Sequence, residues 1–207
     1  MRIAVIGAGA IGCYLAAKLA AAGEDVVVVA RWATRDALRR DGIRVSGHET
    51  VTARPATIDV ADIDRAMPAD LVLTCVKAYS SPDVAPLVAK LLGAAGAWIP
   101  VLNGLPWWYR TRSGEALNTV DPGGAIAGLV GRERVIGSVA YLRSETTGPG
   151  AILYTGGRGL VLGAVGGVPD GALRRAAEVL SRAGVPATIT ADIRSAVWSK
   201  LYGNISL

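Results

Sequence analysis

The chain opens Met1-Arg2-Ile3-Ala4-Val5-Ile6-Gly7-Ala8-Gly9-Ala10-Ile11-Gly12, and the fold is decided there. Arg2 to Ile6 is a short apolar run, suited to a strand buried on both faces. It leads directly into Gly7-x-Gly9-x-x-Gly12. An Ala-rich segment from Ala10 to Ala22 follows, with Gly23 placed to cap a helix. Asp25 to Ala30 then supplies a second, Val-rich strand. The glycines therefore join a strand to a helix inside a β-α-β unit, the context in which this spacing signals a dinucleotide site. In such a site the first glycine makes the tight turn. The second lets backbone approach a pyrophosphate, and the third lets helix and strand pack closely. The helix N-terminus offers free N–H groups and partial positive charge to the pyrophosphate. Gly7, Ala8, Gly9, Ala10, Ile11 and Gly12 are accordingly the expected cofactor-binding loop. A cleavable leader is the weaker reading of the same residues. Its basic region would be a single arginine, its apolar core is broken by three glycines, and a second buried strand follows at once.

The end of the second strand selects the cofactor. NAD sites place an acidic residue about 20 residues after the glycines, to bind the ribose 2′-hydroxyl. Here Ala30-Arg31 stands in that place, and no carboxylate follows until Asp36. Arg31 and Arg35 supply positive charge instead. A guanidinium matches a 2′-phosphate in charge and fork geometry, so NADP is expected over NAD.

Farther along, apolar runs at Leu71–Val76 and Ala97–Leu102 alternate with a helix at Ser81–Leu92. This pattern implies an α/β fold of Rossmann type, a doubly wound parallel sheet with ligands at the carboxyl ends of its strands. Lys77 and Asn103 both follow such ends and become candidates for the cofactor crevice. Ala33–Arg40 reads as a short helix, Ile43–Ser46 and Thr50–Ala53 as short strands, and the stretch from Ile58 to Met67 as irregular or weakly helical. Between Leu105 and Gly131 a Gly-rich loop carrying Trp107, Trp108 and Tyr109 reads as a cover over the site, or as loop packing against the sheet. Val135–Arg143, Gly150–Tyr154 and Leu160–Leu162 read as strands of an antiparallel extension. Asp170–Arg182 is an amphipathic helix with Leu173, Ala176, Ala177 and Leu180 on one face. Ala191–Leu207 reads as a last helix with an apolar stripe at Ile193, Val197, Leu201 and Ile205. Lys200 and Asn204, four residues apart, share its neighbouring face. The expected division is a dinucleotide domain over 1–190 and, over 191–207, the start of a second domain. An exposed stripe on that helix would favour a homodimer.

Composition narrows the function classes. Of 207 residues, 51% are apolar and 19% charged, enough for a full core and too few charges for disorder. The net charge of +5 comes from scattered arginines, which suits small acidic ligands. It lacks the basic, aromatic-interleaved run that nucleic-acid binding would want. No segment has the length and apolarity of a membrane span. Cys13 and Cys75, the only cysteines, read as small core residues in a reducing, cytoplasmic compartment. His48 is the only histidine, so a metal site and a histidine proton relay are not expected.

The chain resembles the ketopantoate reductase (2-dehydropantoate 2-reductase) family. The similar pieces are GAGAIG at Gly7–Gly12, Arg31, VKAY at Val76–Tyr79, LNGLP at Leu102–Pro106, VIGSV at Val135–Val139, PGAI at Pro149–Ile152 and WSKLYGN at Trp198–Asn204. The resemblance implies reduction of a 2-keto acid by NADPH in pantothenate biosynthesis. It implies Arg31 at the 2′-phosphate, Lys77 and Asn103 near the nicotinamide, Asn103 and Asn204 on the substrate, and Lys200 as proton donor. It also implies an all-helical C-terminal domain, of which only the first helix falls within these residues. The double tryptophan after LNGLP departs from the family's pattern and leaves the keto acid open. Two other readings stand beside it. One is a different Rossmann reductase, of the 3-hydroxyacid dehydrogenase or imine reductase type. The other is a non-catalytic NADP-binding module.

Overall fold

The RIAVI run is buried on both faces because it becomes the middle strand of a sheet. In the computed structural model, which describes residues 1–110 and 114–205, β1 (Arg2–Ile6) pairs in parallel with β2 (Asp25–Val29) and β6 (Ala69–Thr74). β5 (Ala56–Ile58) and β7 (Leu92–Pro100) complete a five-stranded sheet in the order β5-β2-β1-β6-β7, parallel throughout. This is the expected doubly wound core. β5 ends where the stretch read as irregular or weakly helical begins, and a 3₁₀ turn at Val60–Arg65 lies inside that stretch.

The expected antiparallel extension is a second sheet of mixed direction. β8 (Ile136–Gly148) and β9 (Ala151–Ala164) form a long antiparallel hairpin. β9 also pairs in parallel with β3 (Ile43–Gly47) and β10 (Ala187–Ile189), and β3 pairs with β4 (Val51–Ala53). The two runs read as separate strands at Gly150–Tyr154 and Leu160–Leu162 are one strand. A single bridge, Trp98 to Val135, ties this sheet to the edge of the first.

Helix α1 (Ala10–Ala21) lies between the two sheets. Its residues share one core with Val5, Leu71 and Ile99 of the first sheet and with Val45, Ile152 and Leu162 of the second. A helix buried on most sides must be apolar on most sides, which accounts for its alanines. Tyr14 is the exception, fully buried and donating a 2.7 Å hydrogen bond to Glu49, which also pairs with Lys18 at 2.5 Å. Burial pushes the Glu49 carboxyl up, but the bonds from Lys18 and Tyr14 outweigh it and hold it below 4.5. Glu49→Ala leaves both donors short of a partner, and we expect a loss of about 1.5–3 kcal/mol in urea unfolding at pH 7. A carboxyl lowered by folding stabilises above its unfolded value, and that contribution fades as pH falls through the folded value. The gap between wild type and variant should therefore close below pH 4.5; a gap that persists at acid pH would show that packing, not charge, is responsible.

On the other side of the first sheet lie α3 (Ser81–Leu91), the short α4 (Ala125–Leu129) and the aromatic loop. Trp107, Trp108 and Tyr109 are buried here, with Trp107 stacked on Trp98 at 5.0 Å. Their burial agrees with loop packing against the sheet. Asp121, also buried, receives the N–H groups of Ile126 and Ala127 and so starts α4. Ser113, at one end of the Gly-rich stretch, lies outside the described residues. Helix α5 (Asp170–Arg182) buries Leu173, Ala176, Ala177 and Leu180, the expected face. Helix α6 (Ile193–Ile205) buries Ile193 and Val197 of its stripe, and Leu201 is half-buried. The Ile205 side chain and Leu207 lie outside the described residues.

Candidate active site

β1, β6 and β7 end side by side, and the segments leaving them form the floor of a cleft of about 830 Å³. The glycine loop is its first wall. Gly7 adopts φ +102°, which L side chains rarely reach, to turn the chain from strand to helix. A Cβ on Gly12 would lie 1.9 Å from the Gly7 carbonyl oxygen, so only glycine allows helix and turn to close. A Cβ on Gly9 would meet nothing within 4 Å, which leaves the loop open on the cleft side. α1 starts with no side-chain cap and no acidic residue in its first turn. Its leading N–H groups, which no helix can satisfy internally, are left for an anion. Gly7 and Gly12 are thus required by the turn and by packing, and Gly9 borders open space. Gly7, Gly9, Ala10 and Ile11 face the cleft, while Gly12 serves packing beneath it.

Lys77 and Asn103 line the same cleft, following β6 and β7. Ala8 and Arg31 line a second recess of about 350 Å³ beyond the glycine loop, toward the end of β2. Arg31 stands 4.7 Å over the exposed Trp32 ring and forms no ion pair among the described residues. Arg35, the other expected cation, is bound to Asp36 and Asp59 at 2.7 and 2.5 Å and lies outside that recess. The positive charge available there is Arg31's. Trp32, at φ +49°, begins helix α2 (Trp32–Asp41) one residue earlier than expected.

Lys200 reaches the site from α6. Its ammonium donates to the Ala140 carbonyl oxygen and lies 4.5 Å over the Tyr141 ring. Lys200 and Asn103 line one narrow crevice, and Leu102 and Asn103 belong to both crevice and main cleft. Burial, and then the charge of Arg158, pull the Lys200 amine below the ordinary lysine range. Asn204 is exposed and lines neither cleft nor crevice. The cysteines carry no nucleophile, since burial pushes both the Cys13 and Cys75 thiols up to about 12.

Sequence reading missed one whole wall of the cleft. The β8–β9 hairpin contributes Leu142, Arg143, Ser144, Glu145 and Thr155. The Ser144 hydroxyl is buried and has no hydrogen-bond partner. Such an orphan beside a cleft is a group for a ligand to satisfy. Nothing local in the sequence marks it, because the hairpin meets the glycine loop only in the assembled fold, where β9 pairs with β3 and both strands pack on α1.

The fold, with its cleft at the carboxyl ends of the parallel strands, is that of a Rossmann-type domain. Residues 3–167 match the family described as ketopantoate reductase PanE/ApbA, and the chain belongs to that family. It is 39% identical over its whole length to a 2-dehydropantoate 2-reductase of Mesorhizobium japonicum, covering 65% of that protein. Among solved structures, the 2-dehydropantoate 2-reductase of Geobacter metallireducens superposes with a TM-score of 0.84 at 29% identity, over 99% of this chain and 63% of that one. A PanE/ApbA family ketopantoate reductase of Ralstonia eutropha gives 0.78 at 28%, over 99% and 61%. The chain spans less than two thirds of the length of these relatives. Among the described residues, no helix is long and apolar enough to cross a membrane.

Proposed function

We propose that this chain carries the NADP-binding and proton-donating half of a 2-keto acid reductase, acting on ketopantoate or a close analogue to give the 2-hydroxy acid. The observation that carries the reading is the crevice shared by Lys200 and Asn103, continuous with the cleft floored by the glycine loop. In this reading residues 1–190 form the cofactor domain, and 191–207 begin a helical substrate domain. Gly7 to Gly12 hold the pyrophosphate, Arg31 the 2′-phosphate, and Lys77 and Asn103 the nicotinamide side.

Bound NADPH supplies a hydride to the keto carbon. The chain's own residues manage the charge that results. Negative charge grows on the carbonyl oxygen, and a cation aimed at that oxygen stabilises it. Lys200, held over Tyr141 and anchored on the Ala140 carbonyl, is in place to bond that oxygen and then protonate the alkoxide. A lowered lysine pKa makes the ammonium a readier acid. Asn103 orients the substrate from the floor.

Arg31 tests the cofactor half of the reading. Titrating NADPH and NADH against wild type and Arg31→Ala by fluorescence should show NADPH affinity falling about 10- to 100-fold, as for loss of a charge-assisted bond. NADH affinity should move less than about twofold, since it lacks the 2′-phosphate. Equal losses for both nucleotides would remove Arg31 from the 2′-phosphate site.

A further inference from the structure

The segment that leaves β2 carries the molecule's one piece of strained side-chain-bearing backbone among the described residues. Arg31 is extended at φ −122° and ψ 153°, and Trp32 follows at φ +49°, the sole non-glycine residue described with positive φ. Such backbone is costly for a bulky residue and persists where it serves a geometry that ordinary backbone cannot reach. Neighbouring side chains on a strand or a helix point apart. Here they meet, with the Arg31 guanidinium carbon 4.7 Å from the centroid of the Trp32 ring. The core does not hold the indole in place, since Trp32 is 73% exposed. Both residues line the recess beyond the glycine loop.

Arg31 needs a support of this kind. An exposed arginine samples many rotamers, and fixing one of them on binding costs affinity. An ion pair would fix the side chain but neutralise it, as Asp36 and Asp59 do for Arg35. Arg31 has no such pair among the described residues, although Asp83 lines the same recess. An aromatic face fixes a guanidinium while leaving its charge and its fork of N–H donors to a ligand. We infer that Trp32 is a positioning residue for cofactor choice: its ring holds the Arg31 guanidinium at the recess, so preference for a 2′-phosphorylated nucleotide depends on residue 32 as well as on residue 31. This rests on the reading of Arg31 given above. The left-handed turn at Trp32 is the device that brings ring and guanidinium together, and Trp32 belongs to none of the motifs shared with the family.

A double-mutant cycle tests the assignment without turnover. NADPH and NADH are titrated by calorimetry into wild type, Trp32→Gly, Trp32→Phe, Arg31→Ala and the Arg31→Ala/Trp32→Gly double variant. Glycine adopts positive φ without strain, so Trp32→Gly removes the ring and leaves the turn. Its NADPH affinity should fall about three- to fivefold, the scale of one exposed cation–π contact, while NADH affinity holds within about twofold and shows the recess intact. Trp32→Phe keeps a ring and should lie between wild type and Trp32→Gly. In the Arg31→Ala background, Trp32→Gly should leave the ratio of the two affinities where it is, because the group it positions is gone. Equal losses for both nucleotides, or the same loss of ratio with and without Arg31, would make Trp32 a wall of the recess and overturn the assignment. If Arg31→Ala abolishes the NADPH preference and Trp32→Gly leaves it whole, the Trp32 assignment falls and the Arg31 reading stands. If Arg31→Ala itself keeps the preference, both fall together.

Discussion

Gly12→Ala is expected to lower the melting temperature by about 6–12 °C and to weaken NADPH binding by more than about 100-fold. The new Cβ would sit 1.9 Å from the Gly7 carbonyl oxygen and 3.1 Å from the Cys75 Cβ. Backbone meets backbone there, so no flexible side chain can swing aside. Either α1 moves away from β1, or the Gly7 turn opens. Overpacking of this kind costs about 3 kcal/mol, which in a domain this size amounts to the stated shift. α1 cannot move cheaply, because it is gripped by both sheets. The turn cannot open without displacing the N–H groups that an anion would use. Gly9→Ala is the control. Its Cβ meets nothing within 4 Å, so the fold should melt as wild type does. The added methyl points into the open side of the loop and should weaken NADPH alone. Thermal melts and a fluorescence titration on the two variants separate the roles. A Gly12→Ala protein that melts with wild type would show that α1 and the turn can adjust, and the packing argument would fail.

Much of this architecture was legible because its signals are local. The strand-glycine-helix order, the LVLTCV strand and the amphipathic Asp170–Arg182 helix each declare themselves within a dozen residues. The second sheet was harder for a physical reason. Gly156, Gly157 and Gly159 read as turn residues, and so divided β9 into two strands. In the fold Gly157 and Gly159 are needed because the Tyr141 and Pro186 carbonyls come too close for any side chain, and Gly156 adopts φ +109° beside His48. Glycine's meaning there depends on neighbours far away in sequence. The same holds for the hairpin wall of the cleft, whose residues reach the glycine loop only after β3, β8 and β9 assemble. Trp107 and Trp108 posed the opposite problem. Their place in a loop permitted an exposed role, but Trp98 offers a ring to stack on, and burial won. Of the candidate site residues, those following strand ends were the most legible, since sheet topology alone positions them. Asn204 was selected by helical spacing and family likeness, and spacing does not decide how far along α6 the crevice extends.

Lys200 carries the largest expected effect on catalysis. If the chain serves the proposed keto acid reduction, Lys200→Met should reduce kcat by about 10²–10⁴-fold, the range for a positioned general acid. NADPH affinity should change less than about twofold, because Lys200 faces the crevice and not the glycine loop. Methionine keeps the length of the stem against Tyr141 and removes only the proton and the charge. The acid form is the active one, so wild-type kcat should fall as pH rises through the Lys200 pKa. Burial and Arg158 both lower that value, which puts the alkaline limb below 10.5. Arg158→Gln removes one of those two causes, so its limb should move to higher pH at saturating keto acid. The direction of that shift distinguishes catalysis from scaffolding. A lysine that merely anchors α6 through the Ala140 carbonyl would lose stability on substitution, yet its ionisation would leave no limb for Arg158 to displace. Unchanged kcat in Lys200→Met, or a limb indifferent to Arg158, would remove Lys200 as the proton donor and leave the crevice as a binding feature only.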